Sequence, residues 1–320
     1  MYVTGVSAVD HAYIDVNGNL MGGTINPTFL LEGALDKREN VLVDFSTCKK
    51  QIKACLDDRD NGFDHKLWIL ENSGCIVEQG KGDTVRVLSD TLDLYLPSNA
   101  IKFIPEVSTY SASLIQNHLT KVVQALFDKS NKDQGFKVKC YYQDTPTLAD
   151  PNSEYATFTY CHGLRDSTSW GCQNIAHGHL SYIQLLNGKQ SLNWLNHLEG
   201  PVTPKDTEVS PWLGSEQQSL RIEIANFLDR SIFVWADNIE HQSADGVMVI
   251  YESRDRGEFS LYLDKSRCKV VVTEEETTVE NLAVHVAKHF YHQLVSVDIR
   301  TIVLSEGLCK GSYVDLEDLK

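Results

Sequence analysis

Two stretches of this chain line up without a gap: LDLYLPSNAIKFIPEVSTYSASLI from position 92 and FSLYLDKSRCKVVVTEEETTVENLA from position 259. Each reads as an alternating strand, a turn, a second strand and a helix start. Upstream of them lie FDHKLWIL (63–70) and LDRSIFVW (228–235), in both of which an Asp and a basic residue lead into an apolar run. Downstream come YYQDTP (141–146) and VLSEGL (303–308), each a strand followed or closed by an acidic residue. Order and spacing agree, so the expectation is one fold unit used twice. The boundary falls in DTPTLADPNSE (144–154), a polar, proline-containing stretch that breaks both periodicities and reads as a linker. The units are then 1–147 and 155–320.

Within each unit the expected order is strand pair, helix, strand pair, helix, final strand. TFLLEGALD and NVLVDF bracket Lys37-Arg38-Glu39 as a hairpin would. Ser46 is the candidate N-cap of a helix over 47–57, with Ile52, Ala54, Cys55 and Leu56 toward the sheet. A Ser/Thr cluster near 110 starts a second helix through Phe127, and TTVENLAVHVAKHF is its counterpart, with Leu282, Val286 and Phe290 on one face. The stretch 199–216, with Pro201, Pro204 and Pro211, reads as an insertion in the second unit.

Composition narrows the partners. At 320 residues, 42% hydrophobic and 23% charged, the chain has enough apolar material for sizeable cores. A formal charge of −15 argues against non-specific binding to nucleic acid or an anionic membrane. No apolar run reaches the roughly 18 residues that cross a bilayer, and MYVTGVSAVDHAY lacks the basic start and apolar core of a signal peptide. A soluble cytoplasmic protein is expected. The eight cysteines form no CxxC pair and are thinly spread, unlike a disulfide scaffold.

Chemistry concentrates in TYCHGLRDSTSWGCQNIAHGHLSYIQLL (159–186). His177 and His179 alternate on an apparent strand, so both rings share a face, and His162 lies on the preceding strand. Three imidazoles without a fourth protein ligand is how a catalytic zinc is held; the alternative is two exposed strand histidines and an unrelated third. Asp64-His65 offers a carboxylate-oriented base, or an ordinary His beside a solvated Asp. Cys172 offers a thiolate if a cation lowers its pKa, or a small buried hydrophobe. Glu306, closing the strand TIVLS, can take two N–H donors of a flat heterocycle, or be merely solvated. Thr278 and Glu280 have the plainer reading of helix cap and first-turn residue.

Taken in order, these residues resemble the 6-pyruvoyl-tetrahydropterin synthase / 6-carboxy-tetrahydropterin synthase family. YCHGL supplies the first His of the family pattern, and CQNIAHGH its cysteine and HGH pair. VLVDFSTCKK and FDHK match the middle of the pattern, and TTVENLA and SEG its end. The resemblance implies an α+β tunnelling fold in two tandem units, each an antiparallel sheet with two helices, and sites at unit interfaces. It implies Zn2+ on His162, His177 and His179, with Cys172, Asp64 and His65 catalytic and Glu306, Thr278 and Glu280 holding substrate. The implied substrate is 7,8-dihydroneopterin triphosphate, a small molecule, and the chain is expected to be a homo-oligomer. The expected product is 6-carboxy-tetrahydropterin, a 7-deazaguanine precursor. A 6-pyruvoyl product and a catalytically dead pterin- or purine-binding homologue are the alternatives.

The departures are reciprocal. The first unit keeps Asp64-His65 but has MGGTINPTF where HGH should stand, and only Asp10 or His11 near the first ligand position. The second keeps the histidines and Cys172 but reads LDR, with Arg230 where the family has His. Complementation follows as an expectation, with Asp64 and His65 reaching the zinc held by the other unit.

Overall fold

The computed structural model describes residues 1–35, 41–130, 135–142, 155–188, 214–308 and 310–320. The expected linker lies outside the described residues, as does the expected insertion up to residue 213.

The first half runs β1 (Tyr2–Val3), β2 (Val9–Ile14), β3 (Leu20–Ile25), β4 (Thr28–Glu32), α1 (Phe45–Leu56), β5 (Lys66–Leu70) and β6 (Cys75–Gln79). It continues with β7 (Thr84–Ser89), β8 (Leu92–Pro97), β9 (Ile101–Ile104), α2 (Ala112–Ser130) and β10 (Lys137–Tyr141). The second half runs β11 (Ala156–His162), β12 (His177–Asn187), α3 (Ser215–Leu228), β13 (Ser231–Trp235), β14 (Ile239–Gln242) and β15 (Gly246–Ser253). It ends with β16 (Gly257–Asp264), β17 (Lys269–Thr273), α4 (Val279–His289), α5 (Tyr291–Ser296), β18 (Ile299–Glu306) and β19 (Lys310–Asp315). The architecture is α+β, with several sheets and few helices.

Strand pairing runs in the same order in both halves. β2 pairs antiparallel with β3 and parallel with β5, which pairs parallel with β9. β11 likewise pairs antiparallel with β12 and parallel with β13, which pairs parallel with β17. The meanders β6-β7-β8 and β14-β15-β16 join through β8 and β16 into one six-stranded sheet. At that junction Leu94 faces Leu261, Tyr95 faces Ser260 and Asp93 faces Tyr262. In the gapless alignment Leu94 matches Leu261 and Tyr95 matches Tyr262, so matched residues exchange partners about a local two-fold axis.

One core belongs to both halves. Val87, Leu94 and Leu96 pack with Val249, Leu261 and Ile232 beneath the shared sheet. Separate cores lie under α1 and α2 and under α3 and α4. Along the shared sheet, alternate residues of β8 and β16 are buried, as the period-two pattern requires.

Three local readings are corrected. The α1 cap is Asp44, whose carboxylate accepts from Thr47 N at 2.8 Å, rather than Ser46. Its buried seam is Cys48, Ile52 and Leu56, spaced four apart, while Ala54 is exposed and Cys55 half-buried. β4 does not pair with 41–43, which are bends: both its edges are taken, by β1 and β10.

The β2–β3 pair packs against the β11–β12 pair at two glycines. A Cβ on Gly22 would lie 2.3 Å from Tyr160 O, and one on Gly178 would lie 2.7 Å from Gly22 Cα. Backbone meets backbone there, and no side chain can give way. A Gly22→Val variant is therefore expected to lose about 3 kcal/mol or more of unfolding free energy. Urea denaturation measures it, and an unchanged midpoint would show that the strands can separate without cost.

Candidate metal and thiol site

The paired Asp-basic motif has a structural cause. Asp64 Oδ1 accepts from Asp10 N at 2.9 Å, and His65 N donates to Asp10 O at 2.6 Å. In the second half Asp229 Oδ1 accepts from Thr159 N at 2.9 Å, and Arg230 N donates to Thr159 O at 2.7 Å. The Asp carboxylate thus docks the start of the apolar strand onto its neighbour. The following residue is left-handed in both cases, with φ of 53° at His65 and 58° at Arg230. Non-glycine residues hold that conformation only when the surroundings fix it.

β11 and β12 present three histidines inward. His162 is the cross-strand partner of His177, and Tyr160 that of His179. All three rings are fully buried, and their ring nitrogens lie within 4.8 Å of one another. His162 Nδ1 donates to Thr277 O at 2.7 Å, and His177 Nδ1 donates to Asn174 O. His179 Nδ1 lies 3.2 Å from Asp10 Oδ1. With the Nδ1 atoms of His162 and His177 donating to carbonyls, their Nε2 atoms turn inward, while His179 Nδ1 sits beside the Asp10 carboxylate without a hydrogen bond. His162 Nε2 and His179 Nε2 are 3.0 Å apart, and the buried His177 Nε2 has no hydrogen-bond partner.

That arrangement fits a tetrahedral ion. Two nitrogens each about 2.0–2.1 Å from such an ion are separated by about 3.3 Å, and oxygen acceptors on the outer nitrogens are the usual orienting shell. Burial holds His162 down to about 3 and His177 well below the ordinary imidazole value, so both are neutral, as ligands must be.

Against this cluster lies the thiol. Cys172 Sγ is 3.5 Å from His65 Nε2 and 3.2 Å from Ser169 Oγ, and His65 Nδ1 donates to Asp64 Oδ2 at 2.7 Å. The His65 ring centre is 5.0 Å from that of His177. Burial raises the Cys172 thiol, but the hydrogen bond and charge of His65 outweigh it and leave the thiol below its ordinary value. Burial also opposes a charged His65, yet the charge and hydrogen bond of Asp64 hold its pKa well above the ordinary value. The pair is built to share one proton with the charge on sulfur. A Cβ on Gly171 would lie 2.6 Å from His65 Cγ, so only glycine lets the Cys172 loop come this near.

Side chains to which sequence reasoning gave no such role hold the two halves in register. Asn174 Nδ2 donates to His65 O and Ala100 O, both at 3.1 Å, while its own carbonyl orients His177. Arg256, buried over the face of Trp170, donates to Gly171 O at 3.2 Å and Asn99 O at 3.1 Å. Asp10 accepts from Thr24 Oγ1 at 2.7 Å, and the charge of His179 holds its carboxyl low against burial. An asparagine two residues before an Ala-His-Gly-His run was the available signal for Asn174; nothing local marks the other two.

The remaining expected residues lie as follows. Glu306 Oε1 is 2.9 Å from Lys310 Nζ and 3.8 Å from His179 Nε2, so its carboxylate faces the cluster already ion-paired. Thr278 is the N-cap of α4, accepting from Asn281 N, and Glu280 is exposed on the first turn. It is Thr277, one residue earlier, that meets His162.

The counterpart positions in the first half hold no histidine. Register places Tyr13 opposite Met21 where the second half has His162 opposite His177, and Gly23 where it has His179. Tyr13, rather than Asp10 or His11, therefore stands at the first-ligand position, and it stacks on Tyr110 at 4.0 Å. Arg230 is largely exposed, on the strand start matching His65.

His11 stacks on Trp68 instead, its Nδ1 donating to Val9 O and its Nε2 accepting from Tyr110 Oη. Burial lowers its pKa to about 4 from the ordinary 6.5. The unfolded chain thus binds the proton first, and stability falls as pH drops from 6.5 toward 4. The expected loss from this group is about 3 kcal/mol. Comparing wild type with His11→Phe by urea titration at each pH checks it; equal pH slopes would rule the ring out as the source.

No family model and no curated protein matches the chain. Among solved structures it is similar to a catalytic-residue mutant of Plasmodium vivax 6-pyruvoyltetrahydropterin synthase, at 16% identity and a TM-score of 0.34. That match covers 46% of this chain and 92% of that one. It is also similar to the Plasmodium falciparum 6-pyruvoyl tetrahydropterin synthase, at 16% identity and a TM-score of 0.32, covering 43% of this chain and 96% of that one.

Proposed function

We propose that the chain is a zinc-dependent lyase acting on 7,8-dihydroneopterin triphosphate, formed by two fused tunnelling-fold units that share one composite active site. The carrying observation is the junction of two sets of residues. The Asp64–His65–Cys172 relay, at 2.7 and 3.5 Å, abuts three inward-facing histidine nitrogens. Neither half supplies that combination alone.

Zn2+ on His162, His177 and His179 would supply Lewis-acid polarisation of a substrate oxygen and lower the pKa of a bound hydroxyl. Cys172 Sγ, kept anionic by His65, takes a proton from the polarised carbon skeleton. The thiol so formed returns that proton to the skeleton, while His65, already protonated at Nε2, stabilises the charge on sulfur before and after the transfer and Asp64 keeps Nδ1 protonated and the ring in place. The buried walls exclude water from the exchange. Glu306 takes N–H donors of the pterin ring by exchanging its ion pair with Lys310. Loss of acetaldehyde with the 6-carboxy product is the preferred branch, and triphosphate elimination to the 6-pyruvoyl product is the second.

Among the described residues no helix is long and apolar enough to cross a membrane. Cytoplasmic placement and a homo-oligomer complete the proposal.

The test is mass spectrometry of the products after incubating the zinc-loaded protein with 7,8-dihydroneopterin triphosphate. Either product mass supports the composite site and names the branch. Intact substrate, with zinc bound, replaces the lyase with a pterin-binding protein.

A further inference from the structure

A second trio shares one member with the three-histidine cluster. Cys172 Sγ and one ring nitrogen each of His65 and His177 also lie within 4.8 Å of one another. Both rings have their outer nitrogen committed, His65 Nδ1 to Asp64 Oδ2 and His177 Nδ1 to Asn174 O, so each Nε2 points inward. His177 Nε2 is fully buried without a partner. An ion about 2.3 Å from sulfur and about 2.0–2.1 Å from nitrogen holds those two atoms about 3.5 Å apart when tetrahedral. Cys172 Sγ and His65 Nε2 are 3.5 Å apart.

We propose that His65, Cys172 and His177 form a second metal position, selective for thiophilic divalent cations and mutually exclusive with the three-histidine position. Exclusivity follows from His177, which has a single inward nitrogen and cannot serve two ions. Selectivity follows from donor type: three imidazoles suit Zn2+ and its neighbours, whereas a thiolate draws softer ions such as Cd2+. An ion in the second position displaces the proton shared by sulfur and His65 Nε2 and occupies both lone pairs. The chain then carries metal but has neither a free thiolate nor a free base. Asp64 and the Asn174 carbonyl act as the orienting shell for this position, the role Thr277 and Asp10 fill for the first.

The proposal needs no substrate and stands whether or not the chain is a lyase. Its test titrates Cd2+ and Co2+ into metal-free His162→Ala/His179→Ala protein, which lacks the first position. The readouts are thiolate-to-metal charge-transfer absorption and alkylation of the Cys172 peptide by iodoacetamide. One equivalent of ion should produce the charge-transfer band and slow alkylation at least tenfold. Adding Cys172→Ser or His65→Asn should remove the band; asparagine accepts the left-handed backbone of position 65. Wild-type protein titrated with Cd2+ gives the same two readouts should the double variant fold poorly. Binding without the band, undiminished alkylation, failure to bind, or a band indifferent to His65→Asn would each overturn the second position.

Discussion

Cys172→Ala should turn over 7,8-dihydroneopterin triphosphate about 10²–10⁴-fold more slowly than wild type while retaining its zinc. The sulfur touches the relay and lies within 4.8 Å of the cluster, and it can carry negative charge without being a ligand of the first metal position. It lies 3.5 Å from His65 Nε2 and is buried, so its removal takes away a charge and a proton acceptor but little packing. His65 and Asp64 would remain, with no atom to relay to. Single-turnover kinetics with metal analysis of the same sample makes the measurement. A fall confined to KM, or a loss of zinc with the thiol, would move Cys172 from proton transfer to structure. Asp64→Asn should cost less than Cys172→Ala, since it weakens the hold on His65 Nδ1 without removing the ring.

What was legible in the sequence is what local spacing encodes. The HxH alternation, the Asp-basic-apolar strand start and the Cys a few residues ahead each express one strand or one turn. The recurring strand, turn, strand and helix order was readable because both halves write it in similar residues. The cap at Asp44 was misplaced by two residues because Ser46 and Asp44 are both good caps, and only backbone direction separates them. The hairpin around Lys37 failed for a different reason. Strand neighbours of β4 are chosen by chain 26 or more residues away at one edge and more than 100 away at the other, which no turn signal reports.

The groups that assemble the site were the least legible. Asp10 meets His179, Asn174 meets His65, and Arg256 bridges Gly171 and Asn99, all across the two halves. Each is a polar residue in an unremarkable local pattern, and only the packing of the two halves on one another gives it a partner. The reciprocal losses in the two halves pointed to complementation. Which atoms would complement could be read only from the backbone contacts, chiefly the left-handed His65 held by carbonyl and amide partners.

One zinc per chain is the second expected result, and its dependence on both halves is the sharper part. His179→Ala should empty the three-histidine position at micromolar chelator, because two imidazoles leave the ion there with half a coordination shell. Asp10→Asn should keep the fold and weaken zinc about 10–100-fold, the usual cost of losing a carboxylate behind a ligating imidazole. Asp10 belongs to the first half and His179 to the second, 3.2 Å apart at the nearest atoms. Tyr13, Met21 and Gly23 at the matching first-half positions offer no imidazole, so a second equivalent should not bind there at the same affinity. Metal analysis after dialysis, with a chromophoric chelator titration for the Asp10 variant, decides both. Two tight equivalents in wild type would mean that the Tyr13–Tyr110 stack opens to ligands from elsewhere. An Asp10→Asn protein with unchanged affinity would mean that His179 needs no partner from the first half, and the dependence of the metal on both halves would be lost with it.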